Sequence, residues 1–205
     1  MKFYNNYILP GLTHWVCSGK DFSNQRAKVI PQARGRVLEI GIGSGLNLPF
    51  YNPANIDFVW GLDPSKQLLK IAEKKAGVLP FNVEFIGLSG EEIPLEKYCV
   101  DTVVVTYTLC SIQNVQKALL EMNRVLKPGG KLIFCEHGKA PDDHIFRWQK
   151  RINPIWKSIS GGCNLNRPIP SLIEQSGFNI KNLDMAYISS FKPASFNYWG
   201  FAVLG

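Results

Sequence analysis

The sequence lacks any long apolar run. No stretch of its 205 residues approaches the ~18–20 consecutive apolar residues that a membrane-spanning helix needs. The first residues also lack the apolar segment and small-residue cleavage site of a signal peptide. Hydrophobic residues make up 45% of the chain and charged residues 19%, as in ordinary globular proteins. We therefore expect a single cytoplasmic domain over residues 1–205, with at most peripheral contact to a membrane.

Cysteine is scarce and scattered. The five cysteines are odd in number, and no two form a Cys-x-x-Cys pair: Cys17, Cys99, Cys110, Cys135 and Cys163. This spacing indicates neither a disulfide framework nor a zinc site, and clustered carboxylates for a metal are also missing. We expect reduced thiols and no bound metal. Cys110 and Cys163 are interpreted as small packing residues rather than nucleophiles.

The chain also lacks a concentrated run of one charge. Its net charge of +7 is spread along the sequence, which favours attraction to anionic surfaces or substrates over a nucleic-acid site. No nucleic acid is expected as a partner, and the sequence does not indicate an oligomeric state.

What the chain does contain is a glycine-rich turn after a buried strand. Residues 36–40 form a short branched apolar run, and Gly41, Gly43 and Gly45 follow it. Glycines permit a positive φ and let the backbone approach a ligand closely. Apolar, helix-compatible residues come next, so the segment predicts a strand, a turn and a helix whose N-terminus faces the ligand.

Two residues decide which ligand fits this turn. The dinucleotide fingerprint requires a third glycine where this chain has Leu46, which argues against an NAD-dependent oxidoreductase. Glu39 stands at the end of a strand that otherwise looks buried, where a carboxylate is costly unless it meets a donor or a cation. S-adenosylmethionine (SAM) carries an ammonium group and a sulfonium, and both suit this position.

A second acidic residue follows the next predicted strand. Residues 57–62 read as a strand that ends in Asp63-Pro64-Ser65. Asp63 is placed to accept hydrogen bonds from ribose hydroxyls. The alternative is an N-cap for the predicted helix 66–76, but Ser65 can cap that helix, which leaves Asp63 free for a ligand.

Strands and helices alternate through the rest of the chain. Further strands are predicted at 82–87, 101–107, 131–135, 178–189 and 196–204, with helices at 115–126, 142–160 and 170–176. Such alternation predicts a doubly wound, mostly parallel α/β sheet with helices on both faces. Its ligands bind beyond the carboxyl ends of the strands.

The order of these motifs resembles that of class I SAM-dependent methyltransferases over residues ~34–205. The resemblance implies a seven-stranded sheet of order 3-2-1-4-5-7-6 with the seventh strand antiparallel, and SAM as cofactor with S-adenosylhomocysteine as product. The cofactor-binding residues that it implies are Glu39, Gly41, Gly43, Ser44, Gly45, Asp63, Pro64, Ser65, Ser89, Gly90, Glu91 and Thr106. Ser89 stands where the family often has Asp.

The finer resemblance is to the alkyl-thiol, phospholipid and quinone-biosynthesis branch of that family. It rests on segments 108–112, 136–138 and 161–167 and on the helix around Trp148. It implies in-line methyl transfer to a small acceptor, which the aromatic residues suggest is hydrophobic: a thiol, a phospholipid head group or a quinone precursor. A SAM-sensing scaffold without transferase activity remains the alternative.

The acceptor side is read from two segments. Residues 1–33 are interpreted as a short helix packed on the domain or, alternatively, as a lid. Residues 139–170 insert a helix and a loop near the acceptor. Candidate acceptor contacts are Tyr7, Cys110, His137, Trp148, Asn166 and Arg167.

Three features of the acceptor side each allow two interpretations. His137 either positions or deprotonates the acceptor or bonds to the backbone. Asn166 and Arg167 either bind an anionic head group or fasten their own loop. The helix 142–160 either meets anionic lipid through Arg147, Lys150 and Arg151 or packs its apolar stripe on the sheet.

Overall fold

A computed structural model describes Tyr4 and residues 8–205. Its centre is a seven-stranded sheet of order β3-β2-β1-β4-β5-β7-β6, which confirms the predicted topology. The strands are β1 Gly35–Ile40, β2 Ile56–Leu62, β3 Asn82–Ile86, β4 Val100–Thr106, β5 Leu126–His137, β6 Phe178–Tyr187 and β7 Phe196–Leu204. All neighbours pair in parallel except β7, which is antiparallel to both β5 and β6.

Helices cover both faces of the sheet. They are α1 Leu9–Cys17, α2 Lys20–Val29, α3 Lys66–Ala76, α4 Val115–Val125, α5 Asp143–Ile159, α6 Ile169–Gln175 and α7 Lys192–Ser195. Successive residues of β4 separate the two cores: Val103 and Val105 pack with α4 and α6, whereas Val104 packs with α2 and α3. This alternation follows from the two-residue repeat of a strand and explains why the central strands are apolar on both sides.

The segment after the glycine turn differs from the prediction. No α-helix follows it; turns lead into a short 3₁₀ helix at Leu48–Phe50 and then a second at Pro53–Asn55. Pro49 and Pro53 cannot donate the hydrogen bonds of a longer helix. The Asn47 side chain is turned inward to Glu39, so this stretch wraps around the carboxylate instead of extending away from it.

Strand β5 is longer than predicted, and helix α5 is continuous. Strand β5 begins at Leu126, before the predicted start at 131, because Leu126 already pairs with Val100 across a register shift. Helix α5 runs unbroken through Pro154. Among the described residues, none of the helices combines the length and apolar character that crossing a bilayer requires.

Candidate functional site

A cavity of about 590 Å³ lies beyond the carboxyl ends of β1, β2 and β4, within the usual size range of small-molecule sites. The glycine turn forms one wall, and α1 with the start of the loop after α5 forms another. Most of the predicted cofactor residues line it: Glu39, Gly41, Gly43, Ser44, Asp63, Pro64, Ser89, Gly90, Glu91 and Thr106. Gly45 and Ser65 do not, because Gly45 faces Leu48 and Ala72, and Ser65 caps α3.

The glycine turn needs its glycines for different reasons. Gly41 has φ of 70°, and a Cβ there would stand 2.1 Å from Thr108 Oγ1, so this position permits close packing of two loops. Gly43 has φ of 53°, and a Cβ there would meet nothing nearer than 3.9 Å. The space beside Gly43 therefore belongs to the cavity rather than to a protein neighbour.

Glu39 is buried at the floor of the cavity, with 1% of its surface exposed. Asn47 Nδ2 donates to one carboxylate oxygen at 2.9 Å, and the Tyr51 hydroxyl donates to the other at 2.7 Å. Asn47 Nδ2 also reaches Thr106 Oγ1 at 3.0 Å. Burial raises the pKa of Glu39 to about 7, although these two donors oppose the rise. A cation in the cavity would favour the ionised carboxylate.

Asp63 follows β2 and turns into the same cavity. Gly43 N–H donates to one carboxylate oxygen at 3.0 Å, and Ser65 N–H donates to the other at 2.8 Å. The carboxylate thereby fixes the turns on both sides of the pocket, which the sequence did not show. Each oxygen retains a second lone pair for a ligand. Burial raises the pKa of Asp63, and the two backbone donors oppose that rise.

Arg26 is a cavity residue that the sequence did not reveal. It lies on α2, is 4% exposed and lines the cavity opposite Glu39's strand. Its Nη1 donates to Cys17 O at 2.7 Å, whereas the buried Nε has no partner among the described residues. No salt bridge of Arg26 occurs in that part of the chain either. A cavity-lining guanidinium without a carboxylate partner is suited to bind an anionic group.

Helix α1 covers the opening of the cavity. Leu9, Thr13, His14 and Cys17 contribute to its wall. His14 Nδ1 lies 2.6 Å from Ser44 Oγ, which joins the helix to the glycine turn. Pro10 lies in the first turn of α1, so it begins this helix instead of interrupting it. Tyr7, a predicted acceptor contact, lies outside the described residues.

The other predicted acceptor residues do not line this cavity. Arg167 donates from Nη1 to Leu109 O and from Nη2 to Ile112 O at 2.7 Å, so it fastens the 108–112 loop. Trp148 is 56% exposed. Asn166 is half-buried outside the cavity wall.

His137 and Cys110 lie behind the wall, together with Cys163. The donor atoms of Cys110, His137 and Cys163 are all within 4.8 Å of one another. Three side chains that can ligate a metal thus come together although the sequence has no metal-binding spacing. Spacing along the sequence could not show it, because the members come from three separate segments.

Glu136 supports the loop in front of this cluster. Its side chain is fully buried, and one carboxylate oxygen accepts from Thr108 N at 2.6 Å and from Leu109 N at 2.9 Å. The carboxylate thereby fixes the backbone just after β4, where Tyr107, Thr108, Ser111 and Ile112 form part of the cavity wall.

An apolar surface lies outside the cavity, on α1 and α5. The apolar stripe of α5 does not pack fully on the sheet, since only Ile145 and Gln149 of that helix are buried. The exposed apolar residues of the two helices are Ile8, Leu12, Trp15, Val16, Trp148, Ile155 and Ile159. The helices meet where Leu9 packs against Gly161. We call these seven residues the apolar face.

Comparison with known proteins identifies the family of this chain. A family model described as a methyltransferase domain matches residues 38–134. A thiol S-methyltransferase of Rattus norvegicus is 37% identical over 196 residues, which cover 89% of this chain and 78% of that protein. A thiol S-methyltransferase of Homo sapiens is 33% identical over 191 residues, which cover 87% of this chain and 76% of that protein.

Solved structures agree on the fold. A SAM-dependent methyltransferase of Thermotoga maritima superposes with a TM-score of 0.68 at 19% identity, over 98% of each chain. A methyltransferase-like protein of Bacillus halodurans gives a TM-score of 0.68 at 15% identity, over 91% of this chain and 97% of that one. The motifs, the sheet order and these relatives agree: the chain belongs to the class I SAM-dependent methyltransferases, and SAM is its methyl donor.

Proposed function

We propose that this enzyme methylates the sulfur of a small hydrophobic thiol inside the cavity beneath α1. The observation that carries the proposal is the division of one cavity into two ends. The carboxylates of Glu39 and Asp63 lie at the β1–β2 end, whereas α1 and the loops after β4 and α5 add mostly uncharged residues, among them Leu9, Thr13, Cys17, Ile112 and Gly161. The thiol S-methyltransferases among its relatives support the choice of sulfur as the methylated atom.

The charged end fits the methionyl and ribose parts of SAM. Glu39 would receive the ammonium group, and the guanidinium of Arg26, which has no salt bridge among the described residues, would receive the carboxylate. Asp63, held by Gly43 and Ser65, would accept from the ribose hydroxyls, and Ser89, Gly90 and Glu91 would line the adenine. The open space at Gly43 would take the methionyl chain.

SAM supplies an activated methyl group on a sulfonium, whose positive charge disappears as the methyl leaves. The protein's task is then to align the acceptor in line with the bond that breaks and to exclude water. Helix α1 would act as the lid, held over the glycine turn by the contact between His14 and Ser44.

The acceptor end favours an uncharged hydrophobic molecule. A charged acceptor such as a free amino acid would need ionic partners of its own there, whereas Glu39 and Asp63 lie at the cofactor end and Arg26, which bonds to Cys17 O, lies between the two ends. A thiol is a weak acid that becomes a strong nucleophile on losing its proton, so it needs less assistance than an alcohol at neutral pH.

The test is methyl transfer from labelled SAM to a panel of acceptors. The panel contains an alkyl thiol, the alcohol of the same carbon skeleton, a phospholipid and a quinone precursor. We expect label on the thiol sulfur and little on the alcohol. Label on the phospholipid or the quinone alone would refute the thiol assignment, and SAM binding without transfer to any acceptor would instead favour a SAM-sensing scaffold.

We propose further that the apolar face brings the enzyme to anionic membranes, where hydrophobic acceptors collect. Trp15 is 73% exposed and Ile155 is 69% exposed, and several large apolar side chains exposed on neighbouring elements are typical of interaction sites. Arg147, Lys150 and Arg151 are exposed on α5 and would meet lipid phosphates.

Liposome sedimentation tests this contact. Reversing Arg147, Lys150 and Arg151 to Glu should lower binding to anionic liposomes while SAM affinity stays unchanged. The matched control reverses Lys66, Lys70 and Lys74, three exposed lysines of α3, and should bind nearly as wild type. Absence of wild-type binding at low salt would refute the membrane contact and leave a water-soluble hydrophobic thiol as the acceptor.

A further inference from the structure

Two thiols and an imidazole converge behind the cavity wall. Cys110 follows β4, His137 ends β5 and Cys163 follows α5. His137 Nε2 lies 3.1 Å from Cys163 Sγ, and the three donor atoms are all within 4.8 Å of one another. Cys110 is buried and His137 is 9% exposed. None of the three takes a part in the proposed methyl transfer.

This geometry is close to that of a tetrahedral zinc site. Zinc–sulfur bonds of about 2.3 Å and zinc–nitrogen bonds of about 2.0–2.1 Å place two thiolates about 3.8 Å apart and a thiolate and an imidazole about 3.6 Å apart. The observed separations bracket these values, so shifts below about 1 Å would bring the donor atoms onto one ion. Two thiolates and one imidazole are a ligand set that zinc favours.

A hydrogen-bond donor and a cation lie beside the cluster, although the neighbouring Cys110 thiol and burial raise the pKa of Cys163 in the metal-free chain. Trp156 Nε1–H donates to Cys163 Sγ at 3.4 Å, as outer-shell donors do for metal-bound thiolates. The half-buried guanidinium of Arg167 donates to two carbonyls and forms no salt bridge within the described chain. It lies near enough to Cys110 and Cys163 for their charges to interact. A half-buried cation of this kind offsets the negative charge of two thiolates.

The cluster also joins two loops of the cavity wall. Asn164 donates from its backbone N and from Nδ2 to Cys110 O, at 2.9 Å each. Ser111 and Ile112 on one loop and Ser160 and Gly161 on the other line the cavity. A metal ion held by both loops would fix the shape of the acceptor end.

We propose that Cys110, His137 and Cys163 bind one Zn²⁺, with water as the fourth ligand, and that the ion fastens the 108–112 loop to the loop after α5. Binding releases the two thiol protons to solvent and leaves the imidazole neutral, with its proton on Nδ1. The site is independent of the nature of the methyl acceptor, so its test does not depend on the proposed function.

The test measures metal content and ligand identity in the full chain, purified without a metal-binding tag. Elemental analysis should find about one zinc per chain, and replacement by Co²⁺ should give a thiolate-to-cobalt charge-transfer band. Cys110→Ala and Cys163→Ala should each lower zinc affinity by more than about 100-fold, since even outer-shell changes cost about 10–100-fold. The control is Cys99→Ala, at the opposite end of β4, which should bind zinc as wild type does.

SAM affinity, measured by calorimetry, shows whether each variant is folded. Reduced wild-type protein that binds SAM but takes up neither Zn²⁺ nor Co²⁺ would overturn the proposal. Zinc uptake that is equal in wild type, Cys110→Ala and Cys163→Ala, or a cobalt spectrum without the thiolate band, would overturn it as well. A Cys110–Cys163 disulfide, seen as a mass two hydrogens lower without metal, would assign the pair to another chemistry.

Discussion

The two ends of the cavity are built in different ways. At the cofactor end, Glu39, Gly43 and Asp63 lie at the ends of adjacent parallel strands, and hydrogen bonds to nearby residues fix them. At the acceptor end, α1 meets the loops after β4 and α5, which are distant in sequence. Helix α1 has no fully buried residue.

We therefore expect the cofactor end to be rigid and the acceptor end to be adaptable. Parallel strands determine the cofactor end, so a substitution there should act on SAM affinity directly. A surface helix and two loops joined by hydrogen bonds form the acceptor end. Substitutions there should therefore change turnover and acceptor choice more than SAM affinity.

The largest effect is expected from Gly43→Val. The valine side chain would occupy the space kept open beside Asp63, and a branched residue at a φ of 53° is strained as well. We expect SAM binding to fall below detection in calorimetry. Gly87→Val is the matched control, because a Cβ there meets nothing within 4 Å and φ is not positive. If Gly43→Val retains its affinity for SAM, the methionyl chain does not occupy this position.

Arg26→Met comes next. It keeps the apolar stem of the side chain but removes the charge that would pair with the SAM carboxylate. Loss of a charge-assisted hydrogen bond costs about 1.5–3 kcal/mol, or roughly a ten- to hundred-fold lower affinity. Lys28→Met, on the exposed side of the same helix, should leave affinity unchanged. Equal affinities in the two variants would show that Arg26 has only a structural role.

Asp63→Ala should weaken SAM by a similar factor, about ten- to a hundred-fold, through loss of the ribose contacts. Part of the effect comes from the freed N–H groups of Gly43 and Ser65, so the free energy of unfolding must be measured in parallel. Asp57→Ala, at the exposed start of β2, is the control. Unchanged affinity in a folded Asp63→Ala protein would reject the ribose assignment.

A pH dependence follows from Glu39. Its pKa rises from an ordinary 4.5 to about 7 in the folded chain, mainly through burial. The folded state then binds more protons than the unfolded state between these values, so this contribution to stability is full below about 4.5 and is lost as pH rises to about 7. The loss should be on the order of 3 kcal/mol.

Denaturant unfolding of the ligand-free protein across that pH range checks this, with Glu39→Gln as the control. The difference between the two proteins should decline with pH in the absence of SAM. Saturating SAM should reduce the decline, because its ammonium group favours the ionised carboxylate. If the pH dependence of the free energy of unfolding is the same with and without SAM, the ammonium group does not bind beside Glu39.

The smallest effect is expected at the lid. His14→Ala removes the contact to Ser44 and loosens α1, and loss of one such hydrogen bond costs about 0.5–1.5 kcal/mol. We expect kcat to fall roughly 2- to 10-fold with little change in SAM affinity. Ser18→Ala, just after α1, removes a local bond to Trp15 O and serves as the control. A fall in SAM affinity without a fall in kcat would contradict the lid.

Much of the cofactor end was predictable because its signals are local. Glu39, the glycines and Asp63 stand next to strand ends that the apolar pattern reveals, the parallel sheet follows from the alternation of strands and helices, and the strand order came from the family resemblance. Arg26 was not predictable, since its helix precedes β1 and nothing in its sequence indicates that the side chain turns inward. The wrapping of Asn47 and Tyr51 around Glu39 likewise depends on a turn whose course the sequence did not show.

The acceptor end was predicted less well because its contacts are distant in sequence. Trp148 has the right periodicity for a buried stripe but is exposed. His137 was correctly placed at the end of β5, yet its ring turns to Cys163 rather than into the cavity. Periodicity tells which face of an element is apolar but not which neighbour covers it.

A crystal structure with S-adenosylhomocysteine and a hydrophobic thiol tests the central claim most directly. We expect the methionyl carboxylate at Arg26, the ammonium at Glu39 and the ribose at Asp63. The sulfur of S-adenosylhomocysteine should point to the thiol beneath α1. A thiol bound outside the space between α1 and the 108–112 loop, or a methionyl group directed away from Arg26 and Glu39, would contradict the account.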